Sequence, residues 1–217
     1  MVFTSFNFLV FFPTVLVVYF LLPQKFRWIF LLAASYYFYI NIKPVYAVLL
    51  AAVTLTTYIF TNLIAKTKSD GKRRAYMVTS VILTLLPLFF FKYFNFVNEG
   101  IYSLLNLVGL HLQLPHISML LPVGISFYTF MALGYTIDVY NEEIDAEKNI
   151  GVVALFLSFF PVVMSGPIER AGNMFHQFKG KLEFSAEKVV QGLQLMLWGY
   201  FMKLALADRL SIYIDAV

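Results

Sequence analysis

The sequence predicts an all-α protein, a polytopic transmembrane helical bundle of six to seven membrane-inserted segments, one of them re-entrant. Three observations predict it. Hydrophobic residues make up 60% of the 217-residue chain, against roughly 45–50% in soluble proteins. Charged residues make up 13%, about half of the usual ~25%. The 16 Lys and Arg residues gather in short stretches between long apolar runs. A soluble globule of this length could not cover its surface with so few charges. A soluble enzyme, a disordered chain and a secreted disulfide scaffold are excluded on these grounds. Basic residues confined to short loops also speak against a nucleic-acid partner. The partner that composition demands is the lipid bilayer.

A spanning helix needs about 20 mostly apolar residues. Met1 to Gln24 carries no charge. It lacks the basic start and small-residue cleavage site of a signal peptide and reads as a retained first span. Trp28 to Ile42 is the second, short unless Lys25 and Arg27 snorkel. Val45 to Ala65 is the third, with Pro44 where a helix start tolerates proline. Ala75 to Phe91 is the fourth, with a bend expected at Pro87. Tyr93 to Ser118 is expected to be interfacial or shallowly inserted, because Gly109, Pro115, His111, Gln113 and His116 make its second half broken and polar. Met119 to Ile137 is the fifth span. Ile150 to Ile168 is apolar but cut by Pro161 and by Gly166-Pro167. Ser185 is placed to cap a last helix running to about Ala207, with Glu187 near its positive end.

Orientation follows from where the cations lie. Residues 66–74 hold five Lys and Arg and residues 169–188 hold four, so 66–74 is expected in the cytoplasm. Counting spans back puts the N-terminus outside. Counting forward, a full crossing by 150–168 would carry the basic 169–188 stretch outside. Either 100–137 crosses twice, or 150–168 enters and returns to the same face. The breakers inside 150–168 favour re-entry, since unwound backbone at membrane depth must be shielded by protein or line a wet cavity. The expected location is the cell (inner or plasma) membrane. No internal repeat or linker divides the chain.

Cysteine is absent, which removes disulfides, thiolate chemistry and Cys-ligated metal. His111 and His116 are five apart around Pro115, which is not the one-face pair of a helical zinc site; no metal site is expected. His176 reads as a surface residue. No Ser-His-Asp arrangement or phosphate-binding glycine loop is present. Charges within apolar stretches are better clues, because intramembrane charge is expensive. Asp138 closes the fifth span, Lys203 interrupts the last helix, and Asp208 and Arg209 follow it. Snorkelling or mutual pairing at the interface is the plain reading of these. Glu169 and Arg170 directly follow the backbone break at Gly166-Pro167, where a cavity wall is a frequent companion. The candidates for lining a cavity are Asp138, Gly166, Pro167, Glu169, Arg170 and Lys203. Tyr36 to Tyr39 reads as an interfacial aromatic belt. A channel, a transporter and a lipid-facing enzyme all fit these residues.

Several stretches in order sharpen the choice. They are Met1 to Leu9, Phe91-Lys-Tyr-Phe-Asn-Phe96, Leu121-Pro-Val-Gly-Ile-Ser-Phe-Tyr-Thr-Phe130 and Ile137-Asp-Val-Tyr140. Leu157-Ser-Phe-Phe-Pro161, Gly166-Pro-Ile168 with Arg170, and Leu197-Trp-Gly-Tyr200 leading to Lys203 and Ala207-Asp-Arg209 complete the set. Together they resemble the membrane-bound O-acyltransferase superfamily, in its alginate O-acetyltransferase-like branch. Two stretches depart from the family pattern. Met131-Ala-Leu-Gly134 stands where relatives carry Gln-Ala-Leu-Ser, and Phe175-His-Gln-Phe178 stands for Leu-Pro-Gln-Phe.

The resemblance implies one domain over residues 1–217, the N-terminal part of an O-acyltransferase. It implies transfer of an acyl group, acetyl above all, to hydroxyls of an exported cell-surface polysaccharide such as alginate. It calls for no bound cofactor and leaves the acyl donor open. It implies a polysaccharide acceptor and a periplasmic or extracellular acetyltransferase partner. The family's histidine stands in a Trp-His-x-Ser context, and neither Trp28 nor Trp198 precedes a His. The catalytic His is therefore expected beyond Val217, with no catalytic residue among the 217 and no activity from them alone. The alternative is an inactive membrane scaffold or a transporter or channel fragment.

Overall fold

The structure is a computed structural model. It describes residues 3–107 and 122–214, the side chains of 95 and 99–107 apart. Among the described residues ten α-helices follow in order: α1 (Phe6–Leu21), α2 (Gln24–Ile40), α3 (Pro44–Lys66), α4 (Asp70–Leu107), α5 (Ile125–Tyr140), α6 (Ile150–Ser158), α7 (Phe160–Val163), α8 (Ala171–Lys179), α9 (Ala186–Phe201) and α10 (Asp208–Ile214). A π-helical turn, Met202–Ala207, joins the last two. No strand occurs among the described residues. Local chemistry sets the starts. The Phe8 N–H donates to Ser5 Oγ at 3.3 Å, the Gly151 N–H to Asn149 Oδ1 at 2.9 Å, and the Lys188 N–H to Ser185 Oγ at 3.4 Å. Each satisfies a donor the helix itself cannot. Pro44 opens α3, where its missing N–H costs nothing.

Among the described residues three helices are long and apolar enough to cross a membrane: Pro44–Lys66, Asp70–Phe94 and Ala186–Ile214. The central one, α3, packs against α2, α4, α5 and α6. Its buried face carries Thr54, Thr57 and Thr61, and α4 and α5 bury Ser80, Thr84, Thr129 and Thr136. Small hydroxylated residues let helices approach closely where no hydrophobic drive between them exists. Thr54, Thr57, Thr61 and Thr136 each donate at 2.8–2.9 Å to the carbonyl four residues back, so these hydroxyls are satisfied within their own helix. A second apolar cluster joins α1 and α2 to the broken segment through Phe8, Val15, Ala34, Phe38 and Phe160.

Contacts sort the connections by end. Gln24 Nε2 donates to the carbonyls of Lys179 (3.3 Å) and Gly180, and Arg27 donates to that of Leu182 at 2.7 Å. Arg73 meets Glu142 at 2.6 Å and the Tyr140 carbonyl at 2.8 Å. Tyr58 donates to the Lys148 carbonyl at 2.9 Å. The stretches 22–27, 66–74, 140–149 and 170–188 therefore share one end. At the other end Tyr200 donates to the Phe3 carbonyl at 2.6 Å and Tyr39 to the Val123 carbonyl at 2.7 Å.

Several elements differ from expectation. Helix α4 continues unbroken past Tyr93 to Leu107, so the first part of the expected interfacial segment prolongs the fourth helix. The rest of that segment, with His111 and His116, lies outside the described residues. Helix α5 starts at Ile125, because Gly124 takes φ +77° and breaks the path; Met119 to Leu121 of the expected fifth span lie outside the described residues. Of the expected aromatic belt, Phe38 and Tyr39 are fully buried and only Tyr37 is exposed, because α2 turns that side to the core. Helix α8 was not expected.

Candidate functional site

The segment between Asn149 and Arg170 is a broken hairpin. Helix α6 is nine residues, about 14 Å at 1.5 Å per residue, under half of a ~30 Å hydrocarbon core. It stops at Phe159. One short turn, α7, follows, and the chain then runs without helix from Ser165 to Arg170. The Phe160 N–H, freed by the break, donates to Ser35 Oγ at 3.3 Å. A cis peptide joins Gly166 to Pro167.

Glycine makes the tip possible on both sides. A Cβ on Gly124 would lie 2.0 Å from the Val163 carbonyl oxygen. Gly166 has φ +74°, and a Cβ there would lie 2.7 Å from the Phe127 ring. L-residues with side chains avoid such φ values. The start of α5 is thus pressed against the hairpin tip, and the end of α5 meets its exit. Asp138, in the last turn of α5, accepts from Arg170 at 3.2 Å, and Arg170 also reaches Glu143 at 3.5 Å.

A second ion pair closes the base. Glu147 lies just before α6 with its side chain only 8% exposed, and it pairs with Lys179 at the end of α8. It also accepts from the Asn149 N–H at 3.0 Å, and its own N–H donates to the Tyr135 hydroxyl at 2.8 Å. Burying this carboxylate is tolerated because a cation and an N–H satisfy it. Entry and exit of the hairpin are therefore tied to one end of the bundle. The chain from Asn149 to Arg170 thus leaves one end of the bundle and returns to it.

The structure groups five of the six sequence candidates: Asp138, Gly166, Pro167, Glu169 and Arg170 lie on the returning arm or against it. Arg170 pairs with Asp138 and Glu143, not with its neighbour Glu169, because α5 ends beside it. Lys203 stands apart, in the π-helical turn, and pairs with Asp208. His176 is exposed on α8. Beside the break lies a cavity of about 210 Å³ lined by Phe159, Phe160, Pro161, Met174, Gln177 and Phe178 together with α1. Its lining is almost wholly apolar. Among the described residues no three His, Asp or Glu side chains are grouped to hold a metal ion.

Sequence reasoning missed Glu143, Glu147, Lys179 and α8. The signal for α8 was present: Ala171, Met174, Phe175 and Phe178 recur at helical spacing, and the first three are buried. No comparable signal marks Glu147, whose burial depends on α3, α5 and α8 converging.

The chain is similar over nearly all its length to known proteins. One named "Probable alginate O-acetylase AlgI" from Pseudomonas aeruginosa is 33% identical over 218 residues, 99% of this chain and 41% of the relative. The protein of the same name from Azotobacter vinelandii is 33% identical over 214 residues, 97% of this chain and 42% of the relative. A "Peptidoglycan O-acetyltransferase" from Helicobacter pylori is 26% identical over 215 residues, 87% of this chain and 39% of the relative. The chain thus spans about two fifths of the length of the curated relatives it matches. The resemblance to the alginate O-acetylase-like branch of the membrane-bound O-acyltransferases is borne out. No family model and no solved structure matches.

Proposed function

We propose, from this likeness to glycan O-acetylases, that the chain is part of a membrane-bound O-acyltransferase. The activity read from it is transfer of an acyl group, acetyl by the relatives' names, to hydroxyls of an exported polysaccharide such as alginate. The observation that carries the reading is 33% identity over 99% of the chain to a protein named for alginate O-acetylation. A peptidoglycan O-acetyltransferase among the relatives shares the reaction and changes the polymer, so the acceptor class is a glycan hydroxyl. The acyl donor stays open. A periplasmic or extracellular acetyltransferase is the partner this reading calls for.

The chain crosses the inner or plasma membrane several times in this reading, with the end that holds 66–74 in the cytoplasm. Helices α1, α2, α5 and α9 and the hairpin add to the two longest helices to make six to seven inserted segments. The returning arm, 165–170, would form one wall of the path between donor and acceptor. Arg170 is held there by Asp138 and Glu143. General base chemistry would fall to a histidine in a Trp-His-x-Ser context, which these 217 residues do not contain.

The test is a chimera. The matched two fifths of the Pseudomonas aeruginosa O-acetylase is replaced by this chain in a host deleted for that enzyme, and ester acetate on exported alginate is measured. The chimera restores acetate, and the 217 residues alone do not. A chimera that reaches the membrane and leaves alginate bare would favour an inactive scaffold or a transport fragment. Turnover by the chain alone that is lost in His111→Ala, His116→Ala or His176→Ala would place the catalytic histidine inside it.

A further inference from the structure

Helix α1 and the first half of α9 stand apart along most of their length. They meet at the far end through Tyr200 and Phe3. Near the basic end the Phe20 and Phe184 rings touch edge to face, 5.2 Å between centroids. Between these contacts lies an open groove of about 800 Å³, within the ~300–1,000 Å³ of small-molecule sites. Its walls are Phe12 and Leu16 from α1 and Leu193 and Met196 from α9. Its mouth at the basic end carries Lys181 and Lys188. Arg27 adjoins it, 5.6 Å above the Phe20 ring and bonded to the Leu182 carbonyl. Among the described residues neither lysine is in an ion pair. Among the described residues Glu183 is the one carboxylate on the lining, and Glu187 is turned to Gln191 at 3.3 Å.

We infer that this groove binds one anionic diacyl phospholipid, its phosphate at Arg27, Lys181 and Lys188 and its chains between α1 and α9. Charge complementarity chooses the occupant. The rim has more cations than carboxylates, and the walls above it offer nothing polar to a peptide backbone. A spanning helix without a carboxylate at this level would leave the two lysines unpaired, whereas an anionic lipid brings its own anion. The arrangement puts charge at the membrane surface and methylenes at depth, as a lipid does. A phosphate oxygen accepts well from both lysine and arginine. The site is independent of acetyl transfer, so its test is too.

The chain is purified in detergent with equal amounts of phosphatidylglycerol and phosphatidylcholine of identical acyl chains, and retained lipid is read by native mass spectrometry. Phosphatidylglycerol is retained in preference by about tenfold. Lys181→Gln with Lys188→Gln removes the preference, and Lys66→Gln with Lys68→Gln, in the other basic loop, keeps it. Leu193→Trp, at an exposed position, fills the groove and lowers retention of both lipids. Equal retention by the unmodified chain, or the same loss from the Lys66 and Lys68 pair, would overturn the site. So would full retention by Leu193→Trp, which would leave the groove to another protein segment or a second copy.

Discussion

Glu147 shows how much one side chain holds. Its carboxylate is buried between α3, α5 and α8, and it draws in Lys179 from 32 residues away. Lys179→Met leaves that carboxylate with the Asn149 N–H alone. The expected cost is about 1–2 kcal/mol: an unsatisfied buried charged group costs more than a neutral one, and the half-exposed lysine gives part of it back to solvent. Lys66→Met, at an exposed and unpaired position, is neutral. Thermal unfolding of both variants in one detergent checks the difference. Equal midpoints would mean that packing of α8, not the ion pair, closes the hairpin. Neither Glu147 nor Lys179 was legible in the sequence, because each sits in an ordinary polar loop and the pairing exists only after α5 and α8 converge. Asp138 was legible, since a carboxylate closing an apolar run is conspicuous, but its partner was not. The sequence placed Arg170 at the backbone break, and the fold turns it across to the end of α5.

At the scale of elements, the hairpin was readable and the long helix was not. Pro161 and Gly166-Pro167 break an apolar run too short to cross twice, and the break appears where they stand. The capping Ser185 and the start at Pro44 were readable for the same reason: each is a local rule. Helix α4 defeated the reading because nothing local says that a helix should run on past Lys92 and Asn98. The hairpin makes a sharp prediction. Cysteines placed singly at Asp145 and Lys181, both exposed, should resist an impermeant thiol reagent added outside intact cells. Reaction at Asp145 alone would mean that 150–168 crosses the membrane, and the ion pairs at its base could not then form as they stand.

Over the whole molecule the cations are sorted. Lys25, Arg27, Lys66, Lys68, Lys72, Arg73, Arg74, Lys148, Arg170, Lys179, Lys181 and Lys188 lie in the stretches that share one end, and four of the 16 Lys and Arg residues do not. The bundle thus carries the one-sided distribution of cations that orients membrane proteins. A cysteine at Ser69 should be protected from the outside reagent and one at Asn41, between α2 and α3, should react. The opposite result would turn the bundle over without altering its contacts.

Phe160 sits at the hairpin tip among Phe8, Phe11, Phe12 and Phe38, with ring centroids 5.3–6.5 Å away. In terms of permeability these rings are insulation. An ion or proton that followed the exposed returning arm up from the basic end would arrive at phenylalanines, which offer no lone pair to jump to. Dry constrictions of this kind stop conduction by excluding water. A hairpin open to one side can therefore lie deep in the bundle behind an aromatic plug.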